Sequence, residues 1–554
     1  MSAAVIEPGR GPGLRCRGWR QEGILRMLEN TLANAERPED LVIYGGIGKA
    51  ARDWPSLRAI MRELRALGDD ETLVVQSGRP VAIMRTFRHC PRVMIANANL
   101  VPRSATQERF TELSDAGLTM HGQYTAGSWA YIGGQGIVQG TFETFASCAA
   151  ASFGGTLAGR VVLTAGLGGM GQAQAPAIAM NGGVALICEI DPAKIAKRSG
   201  YVDHVADSLG AAWDACRAAA GRREPYIVAL AANAADVAEE LVRRGTPPDV
   251  ATDQTSAHDL VNGYVPSGLG VEDAARLRAA DPAGYRAKAE ETLRRHADAL
   301  LALRRTGTEV FEYGNDLRRA AYEAGVTDAF EIPGFVPTYV RPSFAVGRGP
   351  FRWVCLSGDP ADLAVLDGAA LCLFTGDAPL RRWLSTAAHA LPVEGLPARI
   401  CWLGHRARER MALEINRLVR EGAVGAPVAI TRDHLDAGSC SYPTRETEAM
   451  PDGSDEIADW PYLNAMLNVA GGADLVAVHQ NAGLVGGSCS AGMTLVCDGG
   501  ADTDERIRTC FENDPGIGVV RYVTAGVPEA LDYLPDSGLR VPEVALGATH
   551  KEAL

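Results

Sequence analysis

A glycine-rich segment near the middle of the chain has the residue spacing of a loop that binds a dinucleotide. In "VVLTAGLGGMG", Gly166, Gly168 and Gly171 follow an apolar strand-like run and precede a helical stretch. Glycines at this spacing permit a tight turn, a close approach of the backbone to a pyrophosphate, and close helix–strand packing. Glu189 and Asp191 end the next predicted strand, where an acidic side chain can bind the ribose hydroxyls. The segment therefore predicts a site for NAD in preference to NADP.

Hydride transfer also needs a group that moves a proton, and the sequence does not supply one in a familiar pattern. We find no Tyr-x-x-x-Lys motif, no His–Asp pair and no metal motif at a convincing spacing; no H-x-x-x-H or C-x-x-C pair occurs, so no metal is expected. From the residues alone, an NAD-dependent oxidoreductase and a non-catalytic NAD-binding protein both stay open.

Composition limits the class of protein. The 554 residues are 47% hydrophobic and 22% charged, which is typical of globular proteins with several domains. The net charge of −13 makes nucleic acid an improbable partner, and no apolar run is long enough for a membrane span or signal peptide. The twelve cysteines lie mostly in apolar runs such as "ALCLF", which indicates reduced core thiols and a cytoplasmic protein.

Hydrophobic periodicity divides the chain into three segments. Residues 1–135 mix a helical stretch, "PSLRAIMRELRALG", with short strands. Residues 136–344 alternate apolar strands, glycine turns and helices, which predicts a parallel sheet covered by helices, followed by a charged helical hairpin over 271–307. Residues 345–554 are again mixed α/β.

Several segments contain more glycine, aromatic and polar residues than core packing requires. They are "YGGIGKAARDW", "HGQYTAGSWAYIGGQGIVQGTFETF", "DQTSAHDLVNGY", "FEIPGFVPTYVRP", "GLPARICWLG", "RDHLDAGS" and "RETEAMPDGSDEIADWP". Together these segments resemble urocanase (urocanate hydratase) over nearly the whole chain.

The resemblance implies an α/β fold in which a Rossmann-like NAD-binding domain is inserted into a mixed α/β core domain built from the N- and C-terminal segments. It also implies a homodimer acting on a small molecule. In this family NAD⁺ is tightly bound and acts as a covalent electrophile through its pyridinium ring. Water adds to the imidazole ring of a urocanate-like acrylate and gives an imidazolone propionate without net redox.

The resemblance implies a set of cofactor-binding residues, carried over position by position. They are Gly45, Gly46, Gln123, Gly169, Met170, Gly171, Glu189, Lys194, Asn233, Ala234, Gln254, Thr255, Ser256, Ala257, His258, Tyr264, Val265, Tyr313 and Gly483. Lys194 stands where the family usually has arginine, so charge is kept but the bidentate fork is lost.

The resemblance also implies catalytic residues. Cys401 matches the active-site cysteine of the family, although a cysteine between Ile and Trp would by itself be read as a core residue. An acid or base is expected among polar loop residues, for each of which a helix cap or a salt bridge is an equally good interpretation. These residues are Tyr44, Asp433, His434, Asp436 and Arg445.

Two segments depart from the family pattern. The family's Cys-Arg is Ala345-Val346 here, and its His-His-Gly-Gly-Gly loop is replaced by a segment that begins His479-Gln480-Asn481. The changes remove a guanidinium and ring-bearing positions, which predicts an enlarged, more apolar substrate pocket. We therefore expect a urocanate that carries a sulfur, methylthio or N-methyl group on its ring, with ordinary urocanate as the alternative.

Overall fold

The chain forms two units, each built around its own sheet. The structure is a computed structural model that describes residues 6–169, 171–257, 259–391, 394–432, 434, 438–480 and 485–545. The core unit combines Met1–Gly136 with Arg341–Leu554, and the inserted unit is Ile137–Val340.

The N-terminal part of the core unit alternates helices with short strands. Its elements are α1 (Trp19–Ala33), β1 (Val42–Tyr44), β2 (Gly48–Lys49), α2 (Trp54–Ala66), β3 (Glu71–Gln76), β4 (Arg79–Arg85), β5 (Val93–Asn97), α3 (Gln107–Asp115) and α4 (Tyr124–Gly127). Helix α2 begins where the Asp53 carboxylate accepts a hydrogen bond of 2.7 Å from the Ser56 N–H. Leu57, Ile60 and Leu64 recur at helical spacing and are completely buried, so this face packs into the core.

The inserted unit alternates strands and helices. Its elements are α5 (Gln135–Ser152), which starts in the core unit, β6 (Val161–Ala165), α6 (Gln174–Met180), β7 (Val184–Glu189), α7 (Pro192–Lys197), β8 (His204–Ala206), α8 (Leu209–Arg222), β9 (Tyr226–Ala231), α9 (Ala234–Arg244), β10 (Val250–Ala251), α10 (Val271–Ala280), α11 (Pro282–Arg305), β11 (Glu309–Val310) and α12 (Leu317–Glu323). Single turns of 3-10 helix occur in both units. Those in the core unit are Pro38–Asp40 and Pro102–Ser104, and those in the inserted unit are Gly171–Ala173, Ser199–Tyr201 and Ala329–Glu331, with a π-helical turn at Val336–Val340.

The strands of the inserted unit form a parallel sheet in the order β11-β10-β6-β7-β9-β8, as the sequence predicts. Strands β6 and β7 are buried along their whole length, which explains their unbroken apolar runs. The helical stretch predicted after the glycine loop is α6, which ends at Met180, and Gly182 then turns the chain at φ +84°. The expected hairpin over 271–307 is α10 and α11, divided at Asp281, whose carboxylate caps α11.

The C-terminal part returns to the core unit. Its elements are α13 (Arg341–Ala345), β12 (Gly349–Cys355), α14 (Pro360–Leu373), α15 (Ala378–Ala390), β13 (Ala398–Leu403), α16 (His405–Arg420), β14 (Val428–Arg432), β15 (Cys440–Ser441), α17 (Asp459–Gly471), β16 (Leu475–Gln480), β17 (Cys489–Cys497), α18 (Ala501–Thr524), α19 (Pro528–Ser537) and α20 (Pro542–Ala545). In the described part of the chain, no helix is long and apolar enough to cross a membrane.

The core sheet has the strand order β13-β12-β14-β17-β16-β5-β3-β4, with β15 paired to β17. Strands β3, β5 and β16 are parallel, and β17 and β12 are antiparallel to their neighbours. It follows that β3, β5, β16, β14 and β13 all run in one direction and end at the same edge of the sheet. Side chains that follow these strands are thereby brought to one edge, where open α/β sheets bind their ligands.

A buried ion pair holds the end of β14 in place. The Arg432 guanidinium and the Asp514 carboxylate are both completely buried, and Arg432 Nε donates to Asp514 Oδ2 at 2.6 Å. Asn464 and Asn468 donate further hydrogen bonds to the same carboxylate. Breaking such a network costs several kcal/mol of folding free energy, so Arg432 is held in a fixed position at the end of β14.

Candidate active site

The glycine loop of the inserted unit leaves a cradle in front of its backbone. A Cβ added at Gly166 would lie closer than 3.0 Å to the Gln254 carbonyl, and one at Gly171 would lie equally close to the Gly166 carbonyl. At Gly168 and Gly169 an added Cβ would meet no described atom within 4 Å. The outer glycines are therefore required by packing, whereas the inner pair leaves the space that a pyrophosphate needs against the backbone.

Glu189 rather than Asp191 is the acidic residue of this cradle. Glu189 is buried at the end of β7, where its carboxylate accepts hydrogen bonds from the Leu167 N–H at 2.7 Å and the Asp191 N–H at 3.0 Å. Lys194 Nζ lies 3.7 Å from Glu189 Oε1 and is half exposed. Asp191 instead caps α7 by accepting from the Ala193 N–H. Glu189 thus holds the loop and faces the cradle together with a cation.

Four predicted cofactor residues tie together the loops around the cradle. Asn233 caps α9 and donates from its amide to the Val265 carbonyl at 2.9 Å. Gln254 donates to the Tyr313 carbonyl at 2.5 Å, and Tyr313 stacks on Phe335 with ring centroids 4.3 Å apart. Loops that lie far apart in sequence are therefore fixed against one another around the pocket.

The pocket over the glycine loop collects most of the predicted cofactor residues that belong to this unit. Its lining comprises Ala165, Gly166, Gly168, Cys188, Glu189, Ile190, Lys194, Ala232, Asn233, Ala234, Gln254, Thr255, Ser256, Gly263, Tyr264 and Val265. Gly169, Gly171, Ala257 and Tyr313 are not in this lining, and Met170 and His258 lie outside the described residues. An anion-accepting loop, a buried carboxylate and an adjoining pocket fit the adenosine and pyrophosphate of NAD⁺.

In the core unit, the ends of β5 and β16 bring Asn97 against His479. The two residues are register partners, and both are completely buried. Asn97 Nδ2 lies 3.1 Å from His479 Nδ1 and also donates to the Gly127 carbonyl at 3.3 Å. An amide nitrogen only donates, so His479 Nδ1 must accept and His479 Nε2 carries the ring proton.

His434 follows β14 and lies against His479, with ring centroids 4.8 Å apart. Ser128 Oγ lies 2.7 Å from His434 Nε2 and itself donates to the Tyr124 carbonyl. Ser490 Oγ lies 3.2 Å from His434 Nδ1. Both ring nitrogens of His434 are therefore engaged by serine hydroxyls, which suits a residue that positions its neighbours.

Several buried polar atoms near these histidines have no hydrogen-bond partner among the described residues. The atoms are Asn97 Oδ1, His121 Nδ1, Gln123 Oε1, Tyr124 Oη, His479 Nε2 and Gln480 Oε1. They come from two short segments, 121–124 and 479–480, and from the end of the strand that pairs with β16. Because unpaired buried polar atoms are rare in folded proteins, so many in neighbouring segments indicate a site for a polar ligand.

The histidines of this cluster are held in their neutral form. Burial lowers the pKa of His121 to about 4. Burial and the nearby His121 lower the pKa of His479 to about 3, although the Tyr124 backbone opposes the shift. Burial, followed by His479, Arg432 and Arg352, lowers the pKa of His434 well below its usual value. The site therefore offers neutral hydrogen-bonding groups at physiological pH.

These shifts predict a loss of stability in mild acid. Below pH 6.5 the unfolded chain takes up protons that buried His121 and His479 exclude, so the free energy of unfolding falls by up to about 1.4 kcal/mol per pH unit for each. For His121 the loss ends near pH 4. Equilibrium denaturation between pH 7 and 5 measures the slope, and His121→Asn should make it shallower. An identical slope in the variant would contradict the prediction.

Gly45 makes room for Gln123 in the core unit. A Cβ added at Gly45, whose φ is +66°, would lie closer than 3.0 Å to Gln123 Oε1, whereas at Gly46 it would meet no described atom within 4 Å. The Tyr44 hydroxyl donates to the Gln123 carbonyl at 3.1 Å and lies 3.1 Å from Thr125 Oγ1. Gly45, Gly46 and Gln123 remain predicted cofactor residues.

The other predicted catalytic residues occupy different surroundings. Cys401 is completely buried in β13, opposite Phe351. Arg445 lies 3.1 Å from Glu446 in an ion pair; burial acts to lower its pKa, but Glu446 and Tyr124 raise it overall, so Arg445 stays charged. Asp433 and Asp436, together with Asn481 and Gly483, lie outside the described residues.

The positions that depart from the family pattern lie in the core unit. Ala345 is completely buried at the end of α13, and Val346 is partly buried directly after it. Arg341, at the start of this helix, donates to the Ala449 carbonyl at 2.8 Å, which ties α13 to the segment that follows Arg445. His479 and Gln480 end β16 in the unpartnered cluster described above.

Sequence reasoning did not single out several residues of the cluster as site residues. They are Asn97, His121, Tyr124, Ser128 and Ser490. The block "HGQYTAGSW" contains three of them, but within it the sequence analysis gives a role only to Gln123. Asn97 carried a usable signal, because it is a polar residue at the carboxyl end of an apolar strand.

Family models match the chain in three consecutive segments. The urocanase N-terminal domain matches residues 6–130, the urocanase Rossmann-like domain matches residues 133–339, and the urocanase C-terminal domain matches residues 342–535. The Rossmann-like match covers the parallel sheet and the glycine loop, which confirms the predicted fold class. The chain belongs to the urocanase family.

Proposed function

We propose that this urocanase-family hydro-lyase adds water to the imidazole ring of a ring-modified urocanate and holds NAD⁺ without consuming it. The observation that supports it most is the set of unpartnered buried polar atoms in the core unit. A planar heteroaromatic ring with N–H donors and lone pairs would satisfy atoms of both kinds.

We propose that the cradle of the inserted unit holds NAD⁺. The Gly168–Gly169 backbone would receive the pyrophosphate, and Glu189 with Lys194 would bind the adenosine ribose. Bound NAD⁺ supplies an electron-accepting pyridinium ring, which in this family serves as an electrophile.

In this proposal the residues of the core unit bind and orient the substrate. Arg445 supplies a permanent positive charge for the side-chain carboxylate, although Glu446 offsets part of it. His434 keeps His479 in place, and Cys401, Tyr44, Asp433 and Asp436 remain the predicted catalytic residues. The ring modification rests on Ala345, Val346 and the changed segment that begins at His479. We also propose, from family membership, that the enzyme is a homodimer.

The test follows the near-ultraviolet absorbance of urocanate, thiourocanate, S-methyl-thiourocanate and N-methylurocanate with purified protein and no added cofactor. We expect loss of the acrylate chromophore with a modified substrate and no rise at 340 nm. Accumulation of NADH would identify an oxidoreductase and contradict the proposal. Equal or faster turnover of plain urocanate would contradict the ring modification alone.

A further inference from the structure

Tyr124 combines two features that packing does not explain. Its backbone φ is +37°, in the left-handed region that is unfavourable for a residue with a side chain. Its hydroxyl is buried and has no hydrogen-bond partner among the residues that the structure describes. Backbone strain and unsatisfied polar groups both concentrate at functional sites, so two independent observations mark this side chain.

His479 presents a second unsatisfied donor. Its Nδ1 accepts from Asn97, so the ring proton is on Nε2. The Tyr124 backbone interacts with this ring, but Nε2 has no hydrogen bond of good geometry within the described ranges. The ring is completely buried and stays neutral, because charging it would require desolvation of an imidazolium. His479 therefore offers one N–H in a fixed direction.

His434 lies close to both of these residues. Its ring centroid is 4.8 Å from that of His479 and 6.2 Å from that of Tyr124. Because both of its nitrogens already bond to Ser128 and Ser490, His434 acts as a positioning residue for the pair.

An unsatisfied acceptor defines the other half of the ligand. Asn97 Oδ1 is a neutral oxygen that requires a donor, and as the register partner of His479 it lies on the same face of the sheet. A carboxylate would satisfy Tyr124 and His479 but would repel this oxygen. A neutral ring with an N–H and a lone-pair heteroatom satisfies both halves.

We propose that Tyr124 and His479 are specificity-determining residues that donate hydrogen bonds to the lone-pair heteroatom of a neutral imidazole-type ring, whose N–H faces Asn97. The identification of the ring as imidazole-type rests on the proposed function. The donors themselves rest on the geometry of the core unit.

Tyr124→Phe tests the subsite without turnover. The probes are imidazole-4-propionate and 3-phenylpropionate, which carry the same carboxylate side chain on a polar and an apolar ring. We expect the as-purified enzyme to prefer the imidazole ligand and the variant to lose about tenfold of that preference in calorimetric Kd values. An unchanged preference, or no preference in the parent protein, would overturn the proposal.

Thermal stability provides the second readout. Tyr124→Phe removes an unsatisfied hydroxyl, so Tm should stay the same or rise, as is common when a functional group is removed. The control Tyr339→Phe removes a hydroxyl that donates to Glu309 Oε1 at 2.6 Å, so Tm should fall while the ring preference stays unchanged. A fall in Tm for Tyr124→Phe as large as that of the control would overturn the proposal. A drop in ring preference in a protein that hydrates no urocanate would support the subsite and contradict only the proposed function.

Discussion

Gly171→Ala is expected to release NAD⁺ from the inserted unit and to lower hydration activity by about a hundredfold or more. A displacement of about 1 Å in a catalytic site is enough for a loss of that size. The added Cβ would lie closer than 3.0 Å to the Gly166 carbonyl, a backbone atom that cannot rotate away. The loop must therefore move, and Gly166 is itself held by its N–H bond to the Cys188 carbonyl at 2.8 Å. Displacement of the loop would remove the open space in front of the Gly168 and Gly169 backbone.

The cofactor released by denaturing purified Gly171→Ala, quantified by chromatography, measures this effect. Gly221→Ala is the matched control, because a Cβ at that position in α8 meets no described atom within 4 Å. The control should keep its NAD⁺ and lose no stability, because Gly221 lies in the last turn of α8 and alanine is the better helix former. Full retention of NAD⁺ by Gly171→Ala would contradict the assignment of the cradle.

Gly492→Ala is expected to reduce kcat by about a hundredfold, since catalytic sites tolerate little misplacement. A Cβ at Gly492 would lie closer than 3.0 Å to His434 Nε2, the atom that bonds to Ser128. The His434 ring would have to break its hydrogen bonds to Ser128 and Ser490 and its contact with His479. We expect a cost of about 1–3 kcal/mol in the free energy of unfolding from overpacking.

A double variant separates displacement of His434 from damage to the strand. Adding His434→Ala to Gly492→Ala removes the side chain that the new methyl group meets, so the double variant should be more stable than the sum of the two single losses predicts. Its activity should stay low, because His479 has lost its support. Recovery of kcat in the double variant would show that His434 has no positioning role.

Local patterns in the sequence allowed much of the inserted unit to be predicted. The parallel strands β6, β7 and β9 and the turn at Gly166 follow from apolar runs and glycine spacing, which act over a few residues. The glycine spacing alone left Glu189 and Asp191 open, and only the family resemblance selected Glu189. The fold gives the two residues different surroundings, because Asp191 caps α7 while Glu189 lines the cradle.

By itself, the sequence determined the family, the inserted parallel sheet and the glycine loop, since these depend on contiguous motifs and periodicity. Tertiary structure alone decided the cluster in the core unit. Asn97 and His479 are 382 residues apart and Ser128 and His434 are 306 apart, so strand order and register bring each pair together. Tyr124 Oη and His479 Nε2 have no hydrogen bond among the described residues, and this too is a property of the packed core, because any polar atom is hydrated in the unfolded chain.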